Sequence, residues 1–142
     1  MEVRFSIPGA PKGKGRPRFT GHTTYTPKTT VEYEETVRWE YKRMCGNYSF
    51  GVKPLRVVIW AFFGIPKSAT KKKRSEMISG EVMPTKVPDC DNIAKIVLDA
   101  LNGIAYHDDS AVVVLRVEKF YADEPRIEVK ISDDVYLPFT ED

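Results

Sequence analysis

Cysteine is scarce: Cys45 and Cys90 are the only two in 142 residues. They show no C-x-x-C spacing and have no neighbouring histidine pair, which excludes a zinc finger and a disulfide-stapled scaffold. For Cys90, strand-like alternation points the thiol away from the aspartates on either side, so packing is expected rather than ligation. Histidine is equally rare, and His22 and His107 stand apart in turn-like surroundings. No stretch approaches the roughly 18 apolar residues that a membrane span needs. The opening Met-Glu-Val-Arg-Phe-Ser also lacks the apolar core of a signal peptide. The expected location is therefore the cytoplasm, with no membrane partner. No internal repeat or low-complexity tract occurs, and no G-x-x-x-x-G-K-[ST] phosphate loop.

What remains is an ordinary soluble composition, 42% hydrophobic and 30% charged, of a length suited to one domain. The expectation is a single domain over residues 1–142, with residues 132–142 as a loosely held acidic tail. The net charge of +2 decides little, but its distribution is uneven. Lys12, Lys14, Arg16 and Arg18 cluster near the start, and Lys67, Lys71, Lys72, Lys73 and Arg74 cluster near the middle. Acid collects in the centre and at the C-terminus, a pattern suited to a polyanion held around a metal centre.

Alternation of Val3, Phe5 and Ile7 with polar residues predicts a half-buried strand over Glu2 to Pro8. Gly9 to Gly15 interleaves glycine with lysine, as a loop approaching a phosphate would, although such a stretch is also what a solvated loop looks like. An extended threonine- and tyrosine-rich segment follows to Thr26. A helix is expected next, capped by Thr26 or Thr29, carrying Tyr33, Val37, Tyr41 and Met44 on one face and ending at Gly46. Leu55 to Phe63 reads as a central strand, and a short exposed helix is expected around Lys71 to Ile78. Lys86 stands near Asp89 as a phosphate contact or an internal partner. Ala111 to Tyr121 and Arg126 to Ile131 read as two strands of an antiparallel hairpin. The fold class is α+β, one small domain with a mixed sheet and two main helices.

The stretch from Pro88 to Ser110, P-D-C-D-N-I-A-K-I-V-L-D-A-L-N-G-I-A-Y-H-D-D-S, holds five carboxylates and one lysine. Ile93, Ile96, Val97, Ala100 and Leu101 recur at helical spacing, with Asp91 as the expected N-cap and Gly103 as the C-terminal stop. Asp91, Lys95 and Asp99 then fall on one polar stripe, so Lys95 can sit over the carboxylate at the helix start. Asp99 reads as a surface charge or a partner of Lys95. Asp89 precedes Asp91 by two residues in an extended approach, so both can face one ion, and the turn after the helix can return a further carboxylate. Few hard oxygen ligands suit Mg²⁺ or Mn²⁺. Separately, D-x-D-N is also an ordinary capping device and D-D-S an ordinary turn.

This stretch resembles the signature of the RusA family of Holliday junction resolvases, P-D-x-D-N-x-x-K-x-x-x-D-A-L-N-G-x-x-x-x-D-D-x. The opening I-P-G-A-P-K-G-K-G-R-P-R-F-T is similar to that family's first segment. The resemblance implies a small Mg²⁺-dependent homodimeric endonuclease that cuts four-way DNA by paired nicks, with Mn²⁺ able to substitute. It assigns Asp89, Asp91 and Asp109 to the metal, Lys95 to catalysis and Asp108 to a supporting role; Asp108 and Asp109 could exchange with a one-residue difference in the turn. DNA contacts fall to Lys12, Lys14, Arg16, Arg18, Lys71, Lys72, Lys73, Arg74 and Lys86. Cys90 and Ala111 depart from residues common in relatives, and neither carries charge. Two other readings stay open: a non-catalytic junction-binding or replication accessory protein, and a metal-dependent phosphohydrolase acting on nucleotides.

Overall fold

A computed structural model describes residues 1–135 of the chain. In chain order the elements are β1 (Glu2–Pro8), β2 (Arg18–Phe19), β3 (Thr24–Tyr25), α1 (Lys28–Cys45), β4 (Leu55–Gly64), α2 (Lys71–Ser79), α3 (Cys90–Ala100), β5 (Val112–Ala122) and β6 (Arg126–Ser132). The main sheet runs β1-β6-β4-β5, and β2 and β3 form a separate two-stranded ribbon. β4 is antiparallel to β6 and parallel to β5, so the sheet is mixed and the domain α+β.

Register explains the core. Val3, Ile131 and Val57 form one row across three strands; Phe5, Val129 and Ile59 form the next, and Ile7, Ile127 and Ala61 the third. These alternate residues all face the same side of the pleat and are buried, most of them completely. α1 and α3 pack against each other and over this side. Tyr33, Val37 and Tyr41 are the buried stripe of α1, and the Tyr41 ring meets Phe5 edge-on at 5.4 Å. α3 presents Ile93, Ala94, Ile96, Val97 and Ala100. Each large apolar side chain so buried is worth about 1.5–3 kcal/mol.

Five local expectations are corrected. The strands after the helix do not form a hairpin. β4 lies between β5 and β6, and the short link between those two crosses its end, where Pro125 meets Gly64 in ordinary contact. The run L-R-V-V-I-W-A-F-F leaves neither edge suited to water, and this insertion pairs both. Neither Thr26 nor Thr29 caps α1, whose N-cap is Pro27 without a side-chain bond, and Met44 is exposed rather than part of the stripe. α3 begins two residues early: Asp89 is the N-cap residue, again with no side-chain capping bond, and Asp91 lies in the first turn. The acidic tail starts later than expected, because Ser132 belongs to β6 and Asp133 is tied to the N-terminal amine at 2.9 Å. The rest of that tail, residues 136–142, lies outside the described residues.

Candidate active site

α3 is the axis of the site. Asp89 and Asp91 sit at its N-terminus, where the uncapped amides and the helix dipole favour negative charge by about 0.3–1 kcal/mol for each group. Because neither a cap bond nor an ion pair engages the Asp89 side chain among the described residues, its carboxylate is available to a ligand. It opens into a cleft of about 490 Å³ whose other wall includes Lys12, Lys14 and Thr29. Lys95 is exposed one turn further along and forms no ion pair among the described residues, so the expected Lys95–Asp91 pair does not occur. Asp99 follows about 12 Å beyond Asp91 along the axis, at 1.5 Å per residue.

The turn after α3 is built by the residues between Asp99 and Ser110. Gly103 takes a positive φ of 74°, and Asn102 turns its side chain to accept the Asp109 amide at 2.8 Å. Tyr106 is fully buried and donates its hydroxyl to the Leu98 carbonyl at 2.7 Å, pinning the turn to the helix. Burial pushes the phenol up, and the charges of Asp109, Asp99 and Asp108 push it further. The turn thus delivers Asp109 to Asp99. Partial burial raises the Asp109 carboxyl above the usual range, followed by a hydrogen bond with Asp99 and the charges of Asp108 and Asp99. Asp108 behaves oppositely: it is exposed and accepts from the Ser110 amide at 3.0 Å, and bonds with Ser110 hold its carboxyl low. The two neighbours are thereby distinguished, Asp109 turned inward and Asp108 capping a turn.

Among the described residues no three acidic side chains gather closely enough to hold one ion. Asp89 and Asp91 lie at one end of α3, and Asp109 lies with Asp99 towards the other. The donor chemistry nonetheless fits a small divalent cation, since Mg²⁺ is commonly held by one or two carboxylates with water and substrate phosphate completing its shell. Asp99 is the residue that sequence reasoning set aside.

The basic residues divide into engaged and free. Lys14 is mostly buried and pairs with Glu34 at 3.0 Å and with Asp99 at 3.4 Å. Arg74 pairs with Asp123, tying α2 to the link before β6. The Lys86 ammonium stands over the Phe63 and Tyr121 rings at 5.9 and 5.8 Å, not beside Asp89. Lys12, Arg16, Arg18, Lys67, Lys71, Lys72 and Lys73 are exposed and make no ion pair among the described residues. A signal for this surface went unused in the sequence: no carboxylate occurs between Glu2 and Glu32, a span that holds Arg4, Lys12, Lys14, Arg16, Arg18 and Lys28. The β2–β3 ribbon inside that span displays Phe19 and Tyr25 at 72% and 48% exposure.

The family model for endodeoxyribonuclease RusA matches residues 8–132, a range that contains the acidic residues of the site, Lys95 and every basic residue named above except Arg4. The chain belongs to the RusA family. Its activity class is accordingly that of a DNA endonuclease, and the mixed α+β domain is a RusA-like one. The chain is also similar to the uncharacterized protein YqaN of Bacillus subtilis (strain 168), with 36% identity over 136 residues, 92% of this chain and 96% of that protein. No helix among the described residues is long and apolar enough to cross a membrane.

Proposed function

We propose that this RusA-family chain is a Mg²⁺-dependent, structure-selective endonuclease that resolves four-way DNA junctions by paired symmetric nicks. The observation that carries the reading is the start of α3, where Asp89 lines a cleft walled by a basic segment free of acid, with Asp91 and a Lys95 that has no ion pair among the described residues exposed next along the helix. Asp89 and Asp91 would hold the ion, with Asp109 the third carboxylate of the set; Mn²⁺ would substitute. When bound, such an ion lowers the pKa of its water and offsets charge building on the phosphate.

The protein's own groups supply the rest. Lys95 attracts the scissile phosphate to the helix and offsets its charge in the transition state. Lys12, Arg16 and Arg18 on one side and Lys71, Lys72 and Lys73 on the other hold DNA backbone, a salt-sensitive and sequence-blind grip. A four-way junction has near two-fold symmetry, and a C2 homodimer would set two such sites on opposed strands.

Asp91→Asn keeps the shape and removes the charge. Expected is loss of Mg²⁺-dependent nicking with junction binding in EDTA retained or strengthened; nicking at the wild-type rate would remove Asp91 from the mechanism. The second reading, a junction-binding accessory protein, is favoured by the separation of Asp109 from Asp89 and Asp91. Junction binding with no nicking under Mg²⁺ or Mn²⁺ would select it.

A further inference from the structure

The glycine- and lysine-rich segment before β2 is a strap docked across the start of α3. The Lys14 amide donates to the Asn92 carbonyl at 2.9 Å, and the Gly15 amide donates to Thr30 Oγ1 at 3.1 Å. A Cβ on Gly13 would lie 2.9 Å from both Asn92 Cβ and Pro88 Cβ, and one on Gly15 would lie 2.7 Å from Thr30 Oγ1. These glycines serve contact with protein, and the backbone between them has no freedom to swing towards a phosphate.

Lys14 is held accordingly. Its side chain is 19% exposed and lies between Glu34 of α1, 11% exposed, and Asp99 of α3, 29% exposed. Two carboxylates outweigh one ammonium, so an approaching phosphate would meet net negative charge here. Asp99 in turn faces Asp109, whose carboxyl it helps to hold above the usual range. Without the ammonium, Glu34, Asp99 and Asp109 would have no cation among them, and Asp99 would lose the contact that sets its place.

We propose that Lys14 is a positioning residue of the nuclease site, an internal counter-ion that fixes Asp99 and through it Asp109, and not a DNA contact. This rests on the nuclease reading above. It separates Lys14 from Lys12, two residues away in the same strap.

The test uses the full chain and a labelled four-way junction. Dissociation constants are measured across a salt series in EDTA, and turnover at saturating junction in Mg²⁺. Lys14→Met should leave affinity and salt slope as in the wild type while turnover per folded molecule falls about tenfold to a hundredfold, the scale of a small misplacement of reacting groups. Lys14→Arg, which keeps the charge, should recover part of that loss. Lys12→Met should weaken binding and reduce the salt slope by about one. Should Lys14→Met fail to fold, Glu34→Gln serves instead, with turnover expected to fall and binding not to weaken. A Lys14 variant, or Glu34→Gln, whose turnover per folded molecule is unchanged overturns the proposal, as does a salt slope reduced by about one on losing Lys14. Failure of the wild-type chain to nick any junction is a different result, and contradicts the nuclease reading itself.

Discussion

Asp108 and Asp109 are adjacent in sequence and opposite in electrostatics, because one caps a turn and the other faces Asp99. A carboxyl raised by folding binds its proton more tightly in the folded state, so stability declines as pH rises from the ordinary aspartate range through the raised value. Asp109→Asn removes that decline. The expected outcome is a melting temperature higher than wild type at neutral pH, with the difference vanishing in acid and nicking lost. A melting series against pH checks it, and a variant less stable than wild type at neutral pH would contradict the assignment. Asp108 carries the reverse sign: its lowered carboxyl contributes stability above the ordinary aspartate range, and that contribution is lost as pH falls. Stability given up at Asp109 is what an active site that must accept a cation would show.

Among elements, the strap and the ribbon extend the same basic segment and differ in anchorage. Gly13→Ala would force its new methyl into Asn92 and Pro88. Overpacking of this kind costs about 1–3 kcal/mol, measurable by urea denaturation, and unaltered stability would mean that the strap is not docked. Phe19→Ala on the ribbon should leave stability unchanged, since the ring is 72% exposed. It should weaken junction binding about tenfold if the ring stacks on a base, by the usual scale of base–aromatic stacking. Equal affinity would take the ribbon's aromatics out of the DNA surface. Periodicity made β1, α1, α3 and β4 legible, because each buries one face or two and writes that into its own residues. Strand neighbours were not legible: the patterns of β5 and β6 announce two strands, while the choice to seat β4 between them belongs to the whole sheet. Cap positions failed for a related reason, since tertiary contacts hold the starts of α1 and α3 without help from side-chain caps. At the site, Asp89, Asp91, Lys95 and the turn aspartates stood out by their spacing. Asp99 did not, because a carboxylate two turns along a helix resembles any surface charge until Lys14 and Asp109 are brought to it from elsewhere in the chain.

At the scale of the molecule, one layer of helices covers one face of a four-stranded sheet, and the acid-bearing edge of α3 meets the acid-free basic segment across a cleft. That juxtaposition of a carboxylate centre with cationic flanks is the arrangement expected of a protein that holds DNA and cuts it, as the chain's family does. The measurement closest to this claim compares a labelled synthetic four-way junction with a linear duplex of the same arms, in Mg²⁺ and in EDTA, with Asp91→Asn beside the wild type. Symmetric paired nicks are expected in the junction alone, requiring both the metal and Asp91. Binding of the junction without nicks under Mg²⁺ or Mn²⁺, or nicks made equally in the duplex, would contradict it.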